Sequence, residues 1–350
     1  ERVVLMMADA LDADIYTTDM DAAGRIAGGR QRIFSIGETI KSPLFKQLSA
    51  AARFSACDFS EDYDFFIFSG NWAHYAARKH HPNLWYCHIL IGAMNDDHIP
   101  LYGHTGISAR SLYHFGSPFL RYLDRRSMTH VDSILANSRN TCSQILSHYG
   151  READVLYPAI DVSSYAHHEA SDYWLSVNRL YPEKRIELQI ESFRLMPEER
   201  LVIVGGHAQG DHSSSYIRWI MQRLPPNVTV LGEVPFDDLR NLYAHSKGLI
   251  CTSFNEPFGI TPLEAMASGK PVIATKSGGF LETVTDDVGK LVEPDPHCIV
   301  RAVREISKDP EVYRDRCCAR ARLFDRSLFN EKLRDIVYRQ VEERHSGSSS

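Results

Sequence analysis

Beyond residue 170 the chain alternates short apolar runs, rich in β-branched residues, with amphipathic stretches. The runs are Trp174-Leu-Ser-Val, Leu201-Val-Ile-Val-Gly, Val228-Thr-Val-Leu-Gly, Gly248-Leu-Ile-Cys-Thr, Pro271-Val-Ile-Ala-Thr and Lys290-Leu-Val. Between them, residues 185–194, 214–223 and 236–245 carry apolar side chains at helical spacing. Parallel strands need a long crossover to return to the same edge, so this rhythm predicts a doubly wound parallel sheet. The first half repeats it, with strands expected at 13–18, 32–36, 64–69, 84–88, 133–138 and 154–157. The fold class is therefore α/β, as two Rossmann-like halves. Residues 159–171 are small and polar without sustained periodicity and read as a linker. The domains are expected at 1–160 and 171–325. Leu328, Phe329, Leu333, Ile336, Val337 and Val341 predict a last helix over 326–344 that can pack back on the first domain. Residues 1–11 read as a helix with no strand before it, so the first strand of the N-terminal half is expected to lie ahead of Glu1.

A chain of 350 residues is too long for one ordinary core, which supports two domains. With 43% hydrophobic and 24% charged residues it belongs with globular proteins, and no apolar run reaches the ~18 residues of a membrane span. Seven scattered cysteines without a CxxC pair suggest neither a disulfide framework nor a zinc ribbon, so a reduced, cytoplasmic protein is expected. The net charge of −6 argues against nucleic acid as a partner. The pairs His80-His81 and His167-His168 read as solvated loop residues. Asp12/Asp14, Asp19/Asp21 and Asp62/Asp64 match a DxD metal pattern that recurs by chance, and they read as surface caps.

The densest chemistry lies at 254–271, Phe-Asn-Glu256-Pro-Phe-Gly259-Ile260-Thr261-Pro262-Leu-Glu264-Ala-Met-Ala-Ser-Gly269-Lys-Pro271. Thr261 as N-cap, Pro262 at the first helical position and Glu264 three residues after the cap form a capping box. That accounts for Glu264 and leaves Glu256 unexplained. A carboxylate after a central strand, followed by Gly259 and an open helix start, sits where open α/β sheets bind ligands. Gly206, in the Gly-rich stretch after the Leu201 strand, either touches the phosphates of a ligand or belongs to a tight βα turn.

Glu256 and Glu264, separated by seven residues, resemble the motif of the retaining glycosyltransferases of family 4. The likeness extends to Ser176-Val-Asn-Arg179-Leu-Tyr-Pro-Glu-Lys184, to Ser277-Gly-Gly279-Phe-Leu-Glu282, and to Ile134-Leu-Ala-Asn137-Ser138 with Pro158-Ala-Ile-Asp161. It implies GT-B architecture with a C-terminal crossover helix, and it is nearest to GDP-mannose-type mannosyltransferases of polysaccharide assembly. By that resemblance, Arg179 and Lys184 stabilise the departing diphosphate, Glu256 contacts hexose hydroxyls and Glu264 accepts the ribose hydroxyls. Gly259, Ile260, Thr261 and Gly206 line the donor. His88, at the end of its strand, is either structural or faces the sugar, where it would position the donor.

The implied donor is a nucleotide diphosphate sugar, GDP-mannose favoured, and the acceptor a glycan or lipid-linked sugar, with no metal or other cofactor required. A nucleotide-sugar 2-epimerase and a non-catalytic nucleotide-sugar-binding protein are the alternatives. Arg110, Arg121, Arg125 and Arg126 interleave with Leu112, Tyr113, Phe115, Phe119, Leu120, Tyr122 and Leu123. The stretch is read either as core with solvated arginines or as a peripheral contact with an anionic membrane face.

Overall fold

The computed structural model describes residues 2–20, 32–40, 43–90, 120–206 and 214–347. The chain divides into two compact units, Glu1–Pro158 with Ser327–Ser350, and Ala159–Arg326.

The first unit opens with the helix Arg2–Leu11 and a parallel pair, β1 (Ile15–Thr17) and β2 (Ile33–Ser35). A second parallel sheet runs β3 (Phe66–Ser69), β4 (Asn83–Cys87), β5 (Ser133–Ala136), β6 (Asp154–Val155), in that spatial order. Every residue of β4 is buried, as expected of a central strand covered on both faces. The helix Arg326–Gly347 belongs to this unit from Ser327 onward. Its Phe329, Leu333 and Val337 are buried, and Arg334 Nε donates to the Ala10 carbonyl at 2.7 Å.

Two readings are corrected here. His80 is a buried staple: its Nε2 accepts from the Phe59 amide at 2.9 Å, while Nδ1 lies 2.7 Å from the Ala76 carbonyl and donates to it. Asp14 is no cap, because Tyr63 donates to it at 2.6 Å and Arg32 pairs with it. Asp21 lies outside the described residues. Among the described residues no three His, Cys, Asp or Glu side chains cluster as metal ligands.

In the second unit, six parallel strands stand in the order β12-β11-β10-β7-β8-β9. They are β7 (Tyr173–Val177), β8 (Arg200–Val204), β9 (Val228–Gly232), β10 (Leu249–Cys251), β11 (Val272–Thr275) and β12 (Gly289–Val292). β10 and β11 are wholly buried, whereas β9, last in the sheet order, alternates buried or part-buried positions with exposed ones, because one of its faces packs inward and the other meets solvent. The chain travels outward from β7 through β8 to β9, then returns to lay β10 on the other side of β7. Between β7 and β10 the winding reverses, which is where open α/β sheets form a crevice beyond their carboxyl ends. The stretch 159–171 is counted with this unit, and Ile160 bridges to Asp325.

Candidate functional site

Both strands at the reversal point carry sequence-predicted residues just past their carboxyl ends. After β7 comes exposed Arg179, then the 3-10 turn Pro182–Lys184 and Arg185 at φ 50°. After β10 comes the loop that holds Glu256. The loops are sewn together: Thr252 Oγ1 donates to the Lys184 carbonyl at 2.8 Å, and the Phe254 amide donates to Glu183 O at 2.8 Å. The Arg185 guanidinium lies 4.8 Å from the Phe254 ring centroid. This stitching brings Lys184 Nζ to 2.7 Å from Glu256 Oε2, with the side chains 22% and 15% exposed. A cation and a carboxylate, paired yet still in touch with solvent, can address different parts of one polar ligand.

The Glu256 loop is pressed from behind by Gly278 and Gly279. Asn255 takes φ 47°, its amide donates to Ser277 Oγ at 2.6 Å, and the Gly279 amide donates to Glu256 O at 2.6 Å. A Cβ on Gly278 would overlap the Glu256 carbonyl oxygen and lie 2.6 Å from the Glu256 nitrogen. Only glycine permits this approach, and Gly278 also has φ 58°.

The helix Ile260–Ala267 starts two residues earlier than the capping-box reading requires. Its N-cap is Gly259 at φ 90°, which supplies no side-chain cap, so Thr261 is already helical. Gly259 turns against the Phe280 ring, whose Cε1 would stand 2.8 Å from a Cβ there. The capping box is therefore absent, and Glu264 does other work. Its side chain is buried, with Tyr165 donating to Oε1 at 2.9 Å and Tyr243 to Oε2 at 2.8 Å. Burial, then the adjacent carboxylate, pushes the Tyr243 hydroxyl well above its ordinary pKa, so it stays a donor. The amides at the start of this helix form an anion-favouring end beside Ile260, which is exposed, and Thr261. Cys251, at the end of β10, is held as a thiol by burial, its pKa pushed up to about 12.

Gly206 follows β8, and a Cβ there would meet the Glu233 side chain at 2.5 Å. Its carbonyl accepts from the Leu180 amide at 3.1 Å, which ties it to the Arg179 segment. Residues 207–210 of the Gly-rich stretch lie outside the described residues.

In the first unit, His88 directly follows β4, between the ends of its two neighbours. Its Nε2 lies 2.8 Å from Oγ of Ser69, the last residue of β3, and its carbonyl accepts at 2.7 Å from Nδ2 of Asn137, which follows β5. Burial pushes the imidazole pKa down to about 4, so at neutral pH it is uncharged. Of the basic aromatic stretch, Arg110, Leu112, Tyr113, Phe115 and Phe119 lie outside the described residues. Tyr122, Arg125 and Arg126 are exposed, while Asp124, on the same helix, is buried against His74 and Tyr149.

Sequence reasoning missed Tyr165 and Tyr243, although Tyr243 carried a signal. It sits on the inward stripe of an amphipathic helix, where a buried phenol must find a polar partner.

Residues 161–323 match the family of glycosyl transferases group 1. The chain carries a glycosyl transferases group 1 domain. Glu256, Glu264, Arg179, Lys184 and the two tyrosines all lie within that domain. The O-antigen chain mannosyltransferase RfbU of Salmonella typhimurium is 27% identical over 226 residues, covering 61% of this chain and 64% of that one. An alpha-1,3/1,6-mannosyltransferase of Mus musculus is 30% identical over 275 residues, covering 67% and 62% respectively. Each match spans less than two thirds of the relative's own length. HepE of Anabaena, solved with UDP and glucose, superposes with a TM-score of 0.73 at 18% identity, over 96% of this chain and 95% of that one. The group 1 domain thus belongs to a chain of GT-B fold. Among the described residues no helix is long and apolar enough to cross a membrane.

Proposed function

We propose that the chain is a retaining hexosyltransferase that moves mannose from a nucleotide diphosphate sugar, GDP-mannose favoured, to a glycan or lipid-linked acceptor. The observation that carries the reading is the meeting of Lys184 and Glu256 at the reversal point of the sheet, beside the uncapped helix start at Gly259. Breaking the bond between the anomeric carbon and the diphosphate oxygen concentrates negative charge on the leaving group. Lys184, Arg179 and the helix amides are suited to meet that charge through charge-assisted hydrogen bonds of roughly 1.5–3 kcal/mol each. Glu256 accepts from hexose hydroxyls and favours the positive character that develops on the ring. The acceptor oxygen attacks from the face the leaving group departs, and the phosphate takes its proton, so the configuration is kept. Neutral His88 orients the sugar. The names of the curated relatives support mannose as the transferred sugar.

In this reading the cations and the helix end replace a metal. The test incubates the protein with radiolabelled GDP-mannose and lipid-linked or glycan acceptors, with and without EDTA, and follows label into product. Label in an α-linked product, undiminished by EDTA, is expected. Label recovered only as an epimerised or intact donor overturns the transferase reading, and activity lost to EDTA and restored by manganese overturns the metal-free one.

A further inference from the structure

We infer that Glu233 selects the nucleobase: its carboxylate accepts the two adjacent N–H groups of guanine, N1–H and the exocyclic amino group, and so favours a guanosine diphosphate sugar over its uridine counterpart. The inference rests on the reading that the crevice binds a nucleotide diphosphate sugar, and it adds the residue that chooses the base.

The carboxyl ends of β8 and β9 are bare backbone. Gly205 and Gly206 follow β8, Gly232 ends β9, and the Gly205 amide donates to the Gly232 carbonyl at 2.8 Å, so the glycines lie side by side. Nothing among the described residues comes within 4 Å of the place a Cβ on Gly232 would take. This leaves an open strip. It adjoins the proposed leaving-group residues, because the Leu180 amide, next to Arg179, donates to the Gly206 carbonyl at 3.1 Å. β8 lies between β7 and β9, so the end of β9 is two strand spacings, about 10 Å, from that of β7. A nucleotide whose diphosphate meets Arg179 and Lys184 carries its base at the other end of the molecule, and the strip gives a flat ring a place to lie.

Glu233 stands over this strip. Its Cγ, Oε1 and Cδ come within 2.5, 2.6 and 2.8 Å of the Cβ position of Gly206. In the same unit Glu187, Glu199, Glu256 and Glu264 all accept hydrogen bonds from side chains. Glu233 is exposed, and among the described residues its carboxylate has no hydrogen bond or ion pair. An ionised carboxylate only accepts, through two oxygens side by side. Guanine offers N1–H and its amino group pointing the same way, one for each oxygen. Uracil sets a single N–H between two carbonyl oxygens, while adenine and cytosine set a ring lone pair beside the amino group. Each of these opposes an acceptor to the carboxylate, so one residue both favours guanine and disfavours the rest.

Glu233→Gln keeps the size and replaces one acceptor oxygen by an N–H donor group. The new amide opposes the guanine amino group and suits the N–H and carbonyl of uracil. Calorimetry on the full chain compares GDP, UDP and IDP, whose base lacks the amino group, for wild type and variant. The wild type is expected to bind GDP about ten-fold more tightly than IDP, the scale of one hydrogen bond to a charged group, and UDP more weakly than either. The variant should bind GDP about ten- to hundred-fold more weakly, lose the preference over IDP and shift toward UDP, with an unchanged melting temperature. A wild type that binds GDP and IDP alike or prefers UDP overturns the assignment of Glu233 and leaves the transferase reading intact. So does a variant that keeps the wild-type order or weakens all three nucleotides equally. A wild type that binds none of the three overturns the nucleotide-sugar reading, and this inference with it.

Discussion

Lys184 Nζ and Glu256 Oε2 stand 2.7 Å apart across 72 positions of sequence, so the turn after β7 and the loop after β10 share one charge pair. Removing either partner therefore changes the other. Lys184→Met should cut turnover by roughly two to three orders of magnitude, the scale of one preorganised anion-stabilising donor. Combined with Glu256→Gln it should cost far less than the product of the single losses, because each mutation already disturbs its partner. Single-turnover kinetics on the three variants checks this, and strict additivity would show that the pair does not act as a unit.

Arg179 gives the contrasting case. It is exposed, so Arg179→Ala should leave stability within about 0.5 kcal/mol while lowering turnover by roughly two to three orders of magnitude. Denaturant unfolding beside donor kinetics measures both, and wild-type turnover would remove Arg179 from the leaving-group site.

Glu264 should be costly to delete for a reason other than capping. Glu264→Ala leaves two tyrosine hydroxyls without their acceptor, one of them wholly buried, and should destabilise by about 1–3 kcal/mol. Glu264→Gln retains an acceptor and should cost less stability while still raising donor KM. Melting curves of Glu264→Ala that include Tyr243→Phe provide the check, since removing the stranded hydroxyl should recover part of the loss.

Gly278→Ala should cripple the site through the backbone. The new Cβ overlaps the Glu256 peptide, and φ of 58° adds about 1–2 kcal/mol of strain. Turnover should fall at least about ten-fold. Gly150→Ala is the control: φ is 66°, yet nothing lies within 4 Å of its Cβ, so it should show the strain in its melting temperature and none of the kinetic loss.

His88 should leave a mark on acid stability. Its folded pKa is depressed to about 4 from the ordinary 6.5 by burial, so the unfolded chain binds the proton more readily between those values. The stability it contributes is present above pH 6.5 and is lost as the pH falls toward 4. His88→Asn should flatten the fall of melting temperature over that window, and an unchanged slope would show that the imidazole titrates normally.

The strands were legible because parallel strands covered on both faces read as unbroken apolar runs, as in Val272–Thr275. The helix Phe236–His245 was legible because its apolar stripe has the helical period. Thr261-Pro-x-Glu264 misled because a local pattern competes with tertiary contact: Gly259, turned against Phe280, takes the cap position first. Tyr165 sat among small polar residues that read as linker, and its meeting with Glu264 across 99 positions is a tertiary fact. His80 looked solvated beside His81 for the same reason, since its partners at Phe59 and Ala76 come from the surrounding fold.

The helix Arg326–Gly347 belongs from Ser327 with Glu1–Pro158, so the first unit is assembled from two pieces of chain separated by the whole of the second. The second unit is uninterrupted. During synthesis it can therefore close while the first still lacks Phe329, Leu333 and Val337, three side chains of its core. The half that begins first is finished last, and a stop codon shortly after Arg326 would spare the later-made unit while leaving the earlier one incomplete.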